Sequence, residues 1–218
     1  MDHPSQEEGS PIAPRMVEVG SGIFQWAAYS PAHKVPLSSH ACLTDGGLFI
    51  FDPIRVPEVQ VMELKAMHSR RHIVLSNSNH IRDARWWSER LGARVLMRAG
   101  SSDPGCGIQI NTLDPKEDIW RRWGLFSIEG GPESETAFNP PGSDAWIFGD
   151  ALVNLPPRGL EVLPAKYCLN HDQRRIREDL AGFLGAHSFN RAFFAHGSPW
   201  LSGASEKLRR VLSPDWSA

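Results

Sequence analysis

The stretch from His72 to Met97 constrains the fold more than any other part of the chain, because it reads as strand, polar loop, helix and strand in immediate succession. His72-Ile73-Val74-Leu75-Ser76 is an apolar, β-branched run of the kind that fills a buried strand. Asn77-Ser78-Asn79-His80-Ile81-Arg82-Asp83-Ala84 follows it. The spacing predicts a helix from Arg82 to Leu91 and a further strand from Ala93 to Met97. Such a succession builds layers of sheet and helix, and polar groups at a strand's C-terminal end, ahead of a helix, sit where α/β-type folds place their sites.

The rest of the chain carries matching signals. Met16 to Gly20 and Ile23 to Trp26 read as a hairpin, with Gly20-Ser21-Gly22 as its turn; no helix follows, so it is not a phosphate loop. His40 to Thr44 and Leu48 to Phe51 form a second hairpin through Asp45-Gly46-Gly47, since Asp-Gly is a strong turn signal, and this one ends in Asp52-Pro53. Val56 to His68 reads as an amphipathic helix with Pro57 at its start. Gly124 to Ile128 reads as a strand leading into Glu129-Gly130-Gly131-Pro132-Glu133-Ser134. Trp146 to Leu152 carries Gly149-Asp150, and Phe193 to Pro199 carries His196-Gly197-Ser198-Pro199.

In order and spacing, from about Met16 to Leu212, these segments resemble the metallo-β-lactamase superfamily. That family carries Thr-His-x-His-x-Asp-His after the buried strand, and Ser76 to Arg82 aligns with it without a gap. Asn77 and Asn79 hold the two His positions, Ile81 the Asp position and Arg82 the last His position. The family's Gly-His-Thr-Pro-Gly-Ser is matched by Glu129 to Ser134, which contains no His. Of the family's metal ligands only Asp150, the metal-bridging position, and His196, the last ligand, keep ligand-type residues. The resemblance implies an α+β fold, a four-layer αββα sandwich, with Asn77, Asn79, Arg82, Asp150 and His196 at one edge. It implies a hydrolase-like protein with a degenerate metal site. Two ligands are too few for a tight zinc site, which uses three protein groups when catalytic and four when structural.

The residues leave two readings of that edge. In one, no metal is expected, and Arg82 supplies the missing positive charge by pairing with Asp150 or Asp83, while Asp83 otherwise caps the helix; the pocket then serves binding or regulation, with Arg82 drawing a small, anionic ligand. In the other, Asp150, His196, Asp83 and His80 form the catalytic set around one zinc, iron or manganese ion, and the protein hydrolyses an ester, thioester, lactone or amide. His80 has a plainer role as a packing or loop-bonding residue, and Arg82 as a solvent-facing one. Of Trp86 and Trp87 one faces the core; Trp120 and Trp123, beside Arg121 and Arg122, read as packing residues. Ser76 and Ser78 near His80 lie outside any nucleophile-elbow pattern.

Composition narrows the class. With 218 residues, 41% hydrophobic and 22% charged, residues 15–218 suit one domain, with residues 1–14 expected to be disordered. A net charge of −2 gives no reason to expect nucleic acid. No apolar run approaches the ~20 residues that cross a bilayer, and the first residues lack the features of a signal peptide. Cys42, Cys106 and Cys168 are scattered and read as reduced thiols, Cys106 in an exposed loop, so a cytoplasmic location is expected.

Overall fold

Alternate residues of the central strands face different cores, and that alternation builds the layers. The computed structural model describes residues 10–20, 22–98, 107–163 and 172–213. Its larger sheet has seven strands in the order β1 (Val17–Gly20), β2 (Ile23–Ser30), β3 (Val35–Thr44), β4 (Gly47–Phe51), β5 (Arg71–Val74), β6 (Arg94–Arg98) and β7 (Ile110–Leu113). The smaller sheet runs from β13 (Arg191–Phe194) through β10 (Ala145–Phe148) and β9 (Thr136–Asn139) to β8 (Gly124–Ser127), and β11 (Leu152–Leu155) pairs with β12 (Gly159–Val162).

On the larger sheet Leu48, Ile50, Ile73, Val95 and Met97 face α1 (Glu58–Met67) and α2 (Ala84–Leu91), sharing one cluster with Val61, Leu64, Trp87 and Leu91. Phe49, Phe51, Val74 and Leu96 point the other way, to a middle cluster shared with Phe138, Ile147 and Phe193 of the smaller sheet. Trp146, Phe148 and Phe194 continue outward to Ile176, Leu180 and Phe183 of α3 (Gln173–Ala186) and Leu208 and Val211 of α4 (Ala204–Leu212). Helix, sheet, sheet, helix is the expected αββα order.

The parallel pairings fix where the site lies. β4 runs parallel to β5 with Phe51 opposite Val74, and β10 parallel to β13 with Phe148 opposite Phe194. The residues just beyond those ends, Asp52, Ser76, Asp150 and His196, therefore emerge at one edge.

Several expectations change in detail. The helix after the altered loop begins at Ala84, not Arg82, because Ser78–His80 forms a 3₁₀ turn and Arg82 adopts φ 42°, incompatible with a right-handed helix. The stretch from Trp146 to Leu152 breaks at Gly149 and Asp150 into β10 and β11. Ala13, inside the segment expected to be disordered, is buried and donates its N–H to the Arg55 carbonyl at 2.9 Å. β7, β9, β12, α3 and α4 have no counterpart among the segments read from sequence.

Other expectations hold. Trp87 is buried and its indole N–H donates to the Ile54 carbonyl, whereas Trp86 lies partly exposed beneath the Arg90 guanidinium, 4.0 Å from its ring centre. Trp120 and Trp123 are core residues packed on Phe49. Cys42 is a buried free thiol; Ser21, Cys106 and Cys168 lie outside the described residues. Among the described residues no helix is long and apolar enough to cross a membrane.

Candidate functional site

Four strand ends deliver the polar groups, and the 3₁₀ turn delivers a fifth. Asp52 follows β4 with φ 47°, a conformation that costs a non-glycine residue free energy and clusters at functional sites. Its carboxylate accepts the backbone N–H of Ser76 at 2.8 Å and the Ser76 hydroxyl at 2.7 Å. The hydroxyl's one proton is thereby committed, so Ser76 Oγ accepts from His80 Nδ1 at 2.8 Å; the same nitrogen lies 3.1 Å from Asp52 Oδ2. The Ser–His contact is real, but Ser76 is fully buried and already bonded to Asp52, which leaves it no nucleophile's position.

His80 is the centre of the network. Its Nε2 lies 3.1 Å from Asp150 Oδ1, so the imidazole bridges two carboxylates while only 3% of its surface is exposed. Burial alone would strip its proton; Asp150 and Asp52 outweigh that and hold its pKa up at about 9. Asp52, which burial would raise, is held below its usual range by His80, Arg82 and the Ser76 N–H. Asp150 is held well below its usual range against the same burial, by His80 and His196.

Asp150 collects contacts from every side. His196 Nε2 lies 3.1 Å from Oδ1, and Oδ2 accepts from the Asn77 and Asn79 amides at 3.2 and 3.3 Å. His196 turns its Nδ1 to the Pro36 carbonyl at 3.2 Å, and burial lowers its pKa despite Asp150. Asn77 Nδ2 also donates to Glu135 Oε2 at 2.6 Å, and Glu135 Oε1 accepts the Ala151 N–H at 3.0 Å. Glu135 is fully buried; burial and the Asp150 charge push its carboxyl up to about 8. Gly149 makes room for it: a Cβ there would stand 2.8 Å from Glu135 Oε1 and 2.5 Å from Ser76 Oγ.

The expected pairing of Arg82 with Asp150 or Asp83 is replaced by another arrangement. Its guanidinium donates to the carbonyls of Ser38 and Asp52, each at 2.8 Å, and of Ala195 at 3.2 Å, and Nη2 lies 3.5 Å from His196 Nε2. Arg82 adopts a positive φ, and its fork meets buried carbonyls from β3 and from the ends of β4 and β13 before it reaches a carboxylate. Asp83 leaves the pocket: its carboxylate pairs with Arg55 Nε at 2.9 Å, and it caps α2 by position but makes no side-chain cap bond.

The structure thus brings Asn77, Asn79, His80, Asp150 and His196 together, sets Arg82 behind them and Asp83 aside, and adds Asp52, Ser76 and Glu135. The ligand-type atoms of His80, Asp150 and His196 lie within 4.8 Å of one another, a group able to hold a metal ion. A cavity of about 350 Å³ lies at the opposite strand ends, lined by Cys42, Thr44, Pro141, Asp144 and Arg191, well away from this chemistry.

No protein-family model matches the sequence, and no curated protein matches it. Solved structures do. The chain is similar to DIM-1 metallo-β-lactamase, with a TM-score of 0.65 and 16% identity over 93% of this chain and 97% of that one. It is similar to a metallo-β-lactamase from Pontibacter korlensis, with a TM-score of 0.67 and 11% identity over 92% and 99%, and to one from Erythrobacter litoralis, with 0.63 and 11% over 90% and 91%. At such identities the likeness is one of architecture: the chain has the metallo-β-lactamase fold.

Proposed function

We propose that this chain uses the metallo-β-lactamase fold for binding or regulation, through a pocket rebuilt without a two-metal centre. The observation that supports this most directly is the company Asp150 keeps. Where the resemblance places a metal-bridging carboxylate, two Asn amides donate to one oxygen and two imidazoles face the other. A pair of zinc ions does not fit these residues. Asn77 and Asn79 turn N–H donors, not lone pairs, toward Asp150; Ile81 offers no ligand atom; and the permanent charge of Arg82 opposes a second cation beside it. The charges of the two aspartates also balance within the protein, Asp52 and Asp150 against His80 and Arg82, so neither is left without a counterpart.

Arg82 spends its donors on backbone carbonyls, so an anionic ligand lacks the expected guanidinium anchor. The groups at the rim are Asn79, Asp150 and His196, a set that suits a cationic or neutral hydrogen-bonding ligand. A second reading, a one-ion hydrolase of an ester, thioester, lactone or amide, draws support from the convergence of His80, Asp150 and His196. The test of the first reading is the metal content of the purified protein together with turnover of chromogenic β-lactam and ester substrates. We expect fewer than two ions per chain and no turnover above that of Asp150→Asn. Two ions per chain, with a turnover that Asp150→Asn abolishes, would overturn it.

A further inference from the structure

His80 and His196 each bring Nε2 to 3.1 Å from the same oxygen, Asp150 Oδ1. Each ring is fixed from behind through its other nitrogen, His80 by Ser76 Oγ at 2.8 Å and Asp52 Oδ2 at 3.1 Å, His196 by the Pro36 carbonyl at 3.2 Å. Metal-binding histidines are oriented in this way, with an oxygen holding one nitrogen so that the other points at the ion. Asp150 is fixed likewise: Asn77 and Asn79 hold Oδ2, leaving Oδ1 to face both imidazoles. We infer that His80, Asp150 and His196 form a site for a single divalent transition-metal ion, with His80 recruited from a position to which the resemblance gives no ligand role.

The inference rests on the proposed rebuilding of the pocket and names what the rebuilt pocket takes. Two imidazoles and one carboxylate suit zinc, iron(II) or manganese(II), and three protein ligands leave positions for water or another molecule. The ion takes the place of the proton between His80 Nε2 and Asp150 Oδ1, and that proton leaves to solvent. Access runs through the rim, where Asn79 is exposed and the His196 side chain keeps 14% of its surface. Arg82, 3.5 Å from His196 Nε2, opposes the ion, but three carbonyls hold its guanidinium in place and Asp52 lies beside it to offset the charge. The two Asn residues thereby change role, from lost ligands to the clamp that aims Asp150.

The full chain, stripped with chelator, is titrated with cobalt(II), followed by its visible d–d band, and with zinc by calorimetry. One equivalent should bind. His80→Gln and Asp150→Asn should each weaken binding at least ~10-fold, the lower end of what even outer-shell changes cost, and alter the cobalt band. Asp83→Asn, whose carboxylate pairs with Arg55 away from the three ligand atoms, should leave both readings unchanged. Should His80→Gln fail to fold, ¹⁵N-histidine spectra of the unaltered protein decide: zinc should shift Nε2 of His80 and His196. No binding at millimolar metal, one ion whose affinity and band ignore His80→Gln and Asp150→Asn, or shifts confined to other histidines would overturn the inference. Two equivalents lost together in Asp150→Asn would overturn the proposed function itself, whereas no binding would leave it standing.

Discussion

Of two histidines, one lies in a strand and the other in the turn beyond it, and the fold treats them in opposite ways. His72 lies in β5 and His80 just beyond it, both nearly inaccessible to water. His80 has an oxygen at each nitrogen and is held protonated to about pH 9. His72 lies on the Phe49 ring with centroids 5.0 Å apart; neither nitrogen has a hydrogen-bond partner among the described residues, and burial, followed by Arg94, Arg70 and His68, pushes its pKa down to about 4. The difference teaches where to look for chemistry. A buried ionisable group with hydrogen-bonding partners of opposite charge marks a site, and one without them, stacked on a ring, is kept neutral and fills space.

The largest effect should come from His80. His80→Ala leaves Asp52 and Asp150 buried without the cation between them, and breaking one side of a buried ion pair costs on the order of 3–5 kcal/mol. Urea denaturation at neutral pH measures it. A loss below about 1 kcal/mol would show that the two carboxylates are solvated after all, and the contrast with His72 would fail.

Next comes Arg82, which ties β3, the end of β4 and the end of β13 through the carbonyls of Ser38, Asp52 and Ala195. Arg82→Ala should destabilise by about 2–4 kcal/mol, since charge-assisted bonds are lost and carbonyls are left unpaired. Arg82→Lys should recover only part of the loss, because one ammonium cannot span three acceptors as the fork does. Full recovery by Lys would mean that charge alone matters at this position and that the carbonyl contacts are incidental.

The same contrast shows how far the sequence could be read. The αββα order was legible through the resemblance, because the motifs stand in the family's order, and β4, β5, β6 and β10 do alternate apolar residues toward two cores; the strand-ending Asp150 and His196 marked the edge where they converge. Which of two neighbours in the loop would enter the pocket was not legible. A 3₁₀ turn at Ser78–His80 and a positive φ at Arg82 swing His80 inward and Asp83 outward, and neither leaves a periodic trace. Glu135 carries no sequence signal, because it precedes the short strand β9 and resembles a turn carboxylate; its burial comes from Asn77, Gly149 and Ala151, all distant in sequence. α3 did carry a signal, with Asp172 as an N-cap accepting from the Arg175 N–H and Ile176, Leu180, Phe183 and Leu184 at helical spacing.

The smallest effect should lie at His72, and its sign is the informative part. Replacing it with Phe removes two buried nitrogens without partners and keeps a ring against Phe49, so at neutral pH His72→Phe should lie within about 1 kcal/mol of the parent. Acid should separate the two proteins. In the folded parent His72 stays neutral down to about pH 4, whereas in the unfolded chain it takes a proton near its ordinary 6.5. Between those values the unfolded state binds more protons, so the parent loses stability as pH falls through the window, and the Phe variant lacks that contribution. Denaturation midpoints measured from pH 7 to 4 should therefore fall less steeply for His72→Phe. Parallel curves would mean that the folded protein protonates His72 as readily as the unfolded chain does, and that the two ends of β5 are less different than their geometry says.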